Sequence, residues 1–216
     1  MPTQTFFNLP EEKRERIIDA AIKEFSEFPF HKASIARIIE EAEIPRGSFY
    51  QYFADLKDLY KHIFDVIGNE KIKYLYNIMD SLDEMATFKV IKEMYIAGIK
   101  FAMDHPKLAA VGNNFFREDD SFKREIFGDA EEKSLDFFEN FLVRGQKRGE
   151  VKKDIDVKIA AFMIHTLNME IFNYYQRQNK ESNPFHNLEA YLKLIEKMLT
   201  VLEGGLRTEK KEVEGQ

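Results

Sequence analysis

Ser34 to Phe53 reads SIARIIEEAEIPRGSFYQYF, and the fold turns on how this stretch divides. Ser34 is a good N-cap. Ile35, Ile38, Ile39 and Ala42 then recur at helical spacing, which gives a helix with one apolar face. Glu43 to Pro45 breaks the pattern, and a second short helix runs on to about Phe53. In that helix Phe49 and Phe53 lie one turn apart and point the same way. At about 100° per residue the opposite face carries Gly47 and Gln51, flanked by Ser48 and Tyr50. This face is small, polar and uncharged, whereas a helix that faces only water more often carries Glu and Lys. Two helices of about eight residues joined by a turn of about three have the dimensions of a helix-turn-helix. The same spacing also fits a short helical corner in a larger bundle.

Outward from this stretch the chain reads as helix throughout, with no alternation long enough for a strand. A first helix spans about Pro10 to Phe28, with Ile18, Ala21, Ile22 and Phe25 on one face. Asp55 caps a fourth, which carries Leu59, Ile63, Val66 and Ile67 and continues to about Met79. Further helices span about Thr87 to Asp104, a shorter stretch after Pro106, and about Ser121 to Lys147, stopped by Gly145 and Gly149. The last two span Asp156 to Gln178 and Asn187 to Glu203. The expected fold is all-α. A three-helix helix-turn-helix domain occupies residues 1–55, with the helix-turn-helix at about 34–53, and a larger helical domain occupies 56–203. The polar, glycine-marked tail 204–216 is expected to be disordered.

Composition narrows the function. No run of about 18 apolar residues is present, so no spanning helix is expected. The N-terminal MPTQTFFNLPEEKRER lacks the pattern of a secretory leader, so a soluble, cytoplasmic protein is expected. The absence of cysteine excludes disulfides, thiolate metal sites and a cysteine nucleophile. There is no Gly-rich phosphate loop, no G-x-S-x-G and no H-E-x-x-H. The five histidines, at 31, 62, 105, 165 and 186, are scattered. No catalytic residue, metal site or cofactor is expected.

Charge points the other way from DNA binding. The net charge is −6, and the first 60 residues hold eight Lys/Arg against eleven Asp/Glu. Yet Ile44 to Ala54 contains no acid and includes Arg46, so positive charge is arranged locally. The chemistry of the window suits a major groove. Gln51 can bond adenine through two contacts, and the hydroxyls of Ser48 and Tyr50 can meet phosphates or base edges. Gly47 lets backbone approach closely, and Arg46 offers a phosphate or guanine contact. Ser34 caps a helix N-terminus, where an anion is favoured, and Lys57 begins the next helix in the same way.

KRERIIDAAIKEF in the first helix, SIARIIEEA in the second, and RGSFYQYF followed by KDLY are similar to the DNA-binding domain of TetR-family transcriptional regulators. The resemblance covers about Pro10 to Ile67, about a quarter of the chain. It implies a ligand-responsive repressor that binds a palindromic operator in double-stranded DNA as a homodimer. It places DNA contact on Ser34, Arg46, Gly47, Ser48, Tyr50, Gln51 and Tyr52. Three positions depart from the family pattern. Glu43 replaces the usual turn glycine, so a turn of different shape is expected. Pro45 replaces a capping Ser or Ala and suits a first helical position. Leu56 replaces a lysine that here stands one place along as Lys57, turned by about 100°.

The larger half is rich in Phe, Tyr and Met, which can form core or line an apolar pocket. By the resemblance a small, largely apolar effector binds there. Its candidate contacts are Phe101, Phe116, Phe137, Phe141, His165, Asn168, Met169 and Phe172. His165 and Asn168 share a helix face and can bond the ligand's polar end or each serve a core hydrogen bond. Asn113 and Asn114 interrupt another apolar face. Two stripes in the last two helices are expected to form the dimer: Ile159, Phe162, Met163 and Thr166, and Leu188, Tyr191, Leu192, Ile195, Leu199 and Leu202. The alternatives are a helical protein-interaction module without specific DNA binding and, further off, an all-α enzyme.

Overall fold

The structure is a computed structural model that describes residues 1–81, 84–128, 130–179 and 187–208. Among these the chain forms eleven α-helices: α1 Gln4–Phe7, α2 Glu11–Glu27, α3 Ile35–Glu41, α4 Arg46–Tyr52, α5 Leu56–Asp80, α6 Thr87–Asp104, α7 Pro106–Phe116, α8 Asp120–Phe127, α9 Ala130–Lys147, α10 Val157–Gln178 and α11 Leu188–Leu206. The fold is all-α, as the periodicity predicts, with one isolated bridge between Val151 and Arg207 among the described residues.

The helices gather into two compact units, Met1–Tyr76 with Gly98–Asp129, and Asn77–Ala97 with the chain from Ala130 onward. The first unit is larger than the domain drawn at residue 55 from the sequence. It is built on Ile17, Ala20, Ala21 and Phe25 of α2, which share one face and are buried. That core also takes Leu108, Val111 and Phe115 of α7. α7 starts with proline at its first position, where the missing N–H costs nothing. Asn114 fastens it to α2, donating from Nδ2 to the carbonyls of Phe25 and Ser26 at 3.0 and 3.1 Å. A polar side chain on an apolar face therefore serves here as a structural bond.

Four features differ from the sequence reading. The short helix α1 precedes the first expected helix, and its Phe6 is fully buried against Phe53 at 4.9 Å between ring centroids. The helix expected from Ser121 to Lys147 is divided at Gly128, which has φ +53°, a value that suits glycine because it has no Cβ. Gly145 does not stop α9. It lies inside the helix at a close approach, where an added Cβ would sit 2.7 Å from Thr87 Oγ1 and 2.8 Å from Val151 Cγ2. Finally, α11 runs through Gly204 and Gly205 to Leu206, so the tail begins later than expected. Lys152 N–H donates to Leu206 O at 2.9 Å and Thr208 N–H to Glu150 O at 3.1 Å, which pins this end. Residues 209–216, the rest of the expected tail, lie outside the described residues.

In the second unit α9 packs along α10, and Ala160, Ala161, Ile164, Ile171 and Tyr175 of α10 are buried. Tyr191, Ile195 and Leu202 of α11 are buried as well. That part of the expected dimer stripe belongs to the unit's own core, since these side chains recur on its inward face.

Candidate nucleic-acid interface

Helix α3 begins where the sequence places it. Ser34 caps it, its hydroxyl accepting from Ala36 N–H at 3.2 Å. What fixes the start is a residue the sequence reading passed over. Glu24 of α2 is only 5% exposed, accepts from Ser34 N–H at 2.7 Å, and accepts from Arg37 Nε at 3.1 and 2.9 Å on its two oxygens. A buried carboxylate needs such a partner. The signal was its place on the α2 face that carries Ile17, Ala20 and Ala21. Arg37 also stacks on Phe28, 4.2 Å from the ring centroid.

The turn closes with 6→1 and 5→2 backbone bonds, Ile44 N–H to Ile39 O at 3.0 Å and Glu43 N–H to Glu40 O at 3.2 Å. Glu43 takes φ +51°, the left-handed conformation usual for glycine. The turn therefore keeps its ordinary shape, against the expectation of a different one, because these bonds and the burial of Ile44 hold the residue there. Arg16 Nε donates to Ala42 O at 2.9 Å, satisfying another carbonyl of the α3 end. Pro45 stands at the N-cap of α4, one place before the first helical position expected for it, and provides no side-chain cap.

Phe49 of α4 and Phe53 at its C-cap turn inward, and their ring centroids lie 5.6 Å apart. Arg46, Gly47, Tyr50 and Gln51 are exposed and Ser48 is half-buried. The face predicted from the spacing is thus the solvent face. Tyr52 is 3% exposed, its ring packed 6.2 Å from Phe6. The segment around α1 covers this end of α4, with Thr3 N–H donating to Tyr52 O at 2.9 Å and Thr3 Oγ1 to Gln51 O at 2.6 Å. Asp55 caps α5, accepting from Asp58 N–H at 2.8 Å. Lys57, one residue into α5, pairs with Glu125 of α8 at 2.6 Å.

The effector candidates divide between the units. Phe101 and Phe116 belong to the first. Phe101 is buried, with Tyr74 and His105 at 5.9 and 5.3 Å, while Phe116 is exposed. The other six belong to the second. Phe137 and Phe141 stack in parallel at 6.2 Å. His165 Nδ1 pairs with Ser134 Oγ at 3.0 Å. Asn168 is exposed, Met169 is half-buried, and Phe172 meets Tyr191 at 6.5 Å.

The family model described as bacterial regulatory proteins, tetR family, matches residues 17–63, from α2 through the helix-turn-helix into α5. A TetR family transcriptional regulator from Chloroflexus aurantiacus J-10-FL has the same fold along 97% of this chain and 100% of its own, with a TM-score of 0.72 and 30% identity. The chain belongs to the TetR family. This TetR-family protein is accordingly a DNA-binding transcriptional regulator. It is also 27% identical over 155 residues to the fatty acid metabolism regulator protein of Bacillus subtilis strain 168, covering 70% of this chain and 77% of that one. The transcriptional regulator FadR from Bacillus subtilis, solved in complex with stearoyl-CoA, shares the fold over 88% of this chain and 98% of its own, with a TM-score of 0.69 and 19% identity. Among the described residues no helix is long and apolar enough to cross a membrane.

Proposed function

We propose that this regulator is a repressor in fatty-acid metabolism that binds a palindromic operator as a homodimer and responds to a long-chain acyl-CoA. The observation that carries the DNA reading is the solvent face of α4, where Arg46, Gly47, Tyr50 and Gln51 stand exposed in a window without acids. On this reading residues 1–55 carry recognition, with Gln51 and Arg46 toward base edges or phosphate and Ser48, Tyr50 and the Ser34 hydroxyl toward the backbone. Lys57 reaches phosphate only by leaving Glu125.

The homodimer reading rests on α10. Ile159 and Phe162 are 58% and 56% exposed, Met163 lies beside them, and Val201 of α11 is 76% exposed. Apolar side chains of this size at helical spacing favour a covered face. The effector reading rests on the 27% identity to the fatty acid metabolism regulator, which extends well past the DNA-binding segment. The second unit holds the ligand, among Phe137, Phe141, His165, Met169 and Phe172.

The test is to select an operator from random duplexes and titrate stearoyl-CoA into the complex. Allosteric coupling of about 1–3 kcal/mol corresponds to a fall in operator affinity of roughly 5- to 150-fold. Operator affinity that stays constant at saturating stearoyl-CoA would refute the effector, and failure to select any duplex would refute the DNA reading.

A further inference from the structure

The first 60 residues hold eight Lys and Arg, and six of them are engaged within the protein. Lys23 pairs with Glu41 at 2.7 Å, Lys57 with Glu125 at 2.6 Å, and Arg37 with Glu24. Arg14 and Arg16 donate to the carbonyls of Phe7 and Ala42 at 3.3 and 2.9 Å. Lys13 Nζ lies 5.8 Å from the centre of the Tyr52 ring. The remaining two are Arg46, on the solvent face of α4, and Lys32. Lys32 is exposed, and among the described residues no carboxylate pairs with it.

Lys32 ends the short 3-10 turn Phe30–Lys32, two residues before the Ser34 cap of α3. Both of its backbone groups are held. Its N–H donates to Pro29 O at 2.9 Å, and its carbonyl accepts from Arg37 Nη2 at 2.7 Å. The turn is anchored by Glu118, which follows α7 and whose side chain is 10% exposed. Glu118 Oε1 accepts from Phe30 N–H at 2.8 Å, and its other oxygen stands 3.6 Å from His31 Nδ1. The Phe30 ring packs 4.6 Å from Phe122 of α8 and 4.9 Å from Tyr60 of α5. An unpaired ammonium on a fixed backbone has less freedom to lose when it meets a ligand.

In a helix-turn-helix the first helix crosses the DNA backbone while the second enters the major groove. The residues that lead into α3 then lie beside phosphates. We propose that Lys32 is a phosphate contact, presented by the turn that Glu118 anchors. This rests on the DNA reading above and adds to it a contact outside the stretch from Ser34 to Phe53. A lysine meets phosphate as a point charge and reads no base, so the contact serves every duplex alike.

The test measures binding of the full chain to the selected operator and to an unrelated duplex over a range of salt concentrations. Lys32→Gln is expected to weaken both alike. It is also expected to make the slope of log affinity against log salt shallower by about 0.9 for each protomer. Lys32→Arg is expected to keep the wild-type slope. Lys23→Gln, which removes a lysine already paired with Glu41, is expected to leave the slope unchanged. An unchanged slope in Lys32→Gln would overturn the contact. An equal change in Lys23→Gln would overturn it too, by showing a general effect of charge. Glu118→Ala and Glu118→Gln remove the same charge, but only glutamine keeps an acceptor for Phe30 N–H. The alanine variant is expected to bind duplex more weakly than the glutamine variant, and that difference to vanish in the Lys32→Gln background. A difference that persists there would overturn presentation by the turn. A wild type that bound no duplex at all would remove the DNA reading, and the role of Lys32 with it.

Discussion

Glu43 holds φ at +51° in the turn between α3 and α4, where a side chain is disfavoured by roughly 1–2 kcal/mol. The bonds of Ile44 and Glu43 to the end of α3 keep it there. Glu43→Gly is therefore expected to raise stability by about 1 kcal/mol, read from the urea midpoint at unchanged slope. A fall in the midpoint would mean that the Glu43 side chain contributes more than its backbone costs. Further along, Gln51 is exposed on the face turned from Phe49. Gln51→Ala is expected to weaken operator binding by about 1–3 kcal/mol while leaving nonspecific duplex affinity nearly unchanged. An equal loss on every duplex would place Gln51 on the phosphate backbone. Tyr52 shows what spacing alone carries at this scale. It is three residues after Phe49, hence on the core side of α4, whereas the family resemblance assigns it to DNA. The ring packs against Phe6, as the spacing implies.

Elements with strong periodicity are legible in the sequence alone. α2, α3, α4 and α10 begin and end within a residue or two of their expected bounds, because caps such as Ser34 and Asp156 and the apolar spacing agree. The misses among the later helices all fall at glycines, whose role is set by backbone conformation at Gly128 and by close packing at Gly145, neither of which spacing carries. Gly128 breaks a continuous pattern, and Gly145 continues a helix it was expected to end. Gly145→Ala pits about 1 kcal/mol of helix propensity against overpacking, which costs about 1–3 kcal/mol. Thr87 and Val151 are both buried and stand under 3 Å from the new Cβ, so overpacking is expected to win and the thermal midpoint to fall. A rise would show that Thr87 can turn away. The same corner carries a pH dependence. Burial pushes the Glu150 carboxyl up, but bonds from Thr87 and the Arg148 guanidinium outweigh it and hold it below the usual carboxylate range. Its contribution is then present above the unfolded pKa, near 4.3, and is lost as pH falls through the lower folded value. Glu150→Gln is expected to flatten the acid side of the stability profile. An unchanged profile would assign that slope to other carboxylates.

For the whole molecule, the exposed apolar face of α10 sets the expected assembly. Phe162→Glu places a charge there, and sedimentation is expected to show monomers with helicity and thermal midpoint near the wild type, since Phe162 is 56% exposed. A variant that still dimerises would move the interface elsewhere. The candidate effector site is less legible than the fold, because contacts between helices distant in sequence decide it. His165 meets Ser134, a residue 31 places away. The pair formed by Lys57 and Glu125 has a bearing on how the molecule's DNA affinity is counted. Each lysine that leaves water for a phosphate ordinarily releases about one condensed counterion from the duplex, and the salt slope records it. In the proposed complex Lys57 would exchange one anionic partner for another. The duplex would still release its counterion and the slope would record it, while parting from Glu125 would offset much of the affinity gained. A count of phosphates from the slope would therefore overstate what this contact contributes.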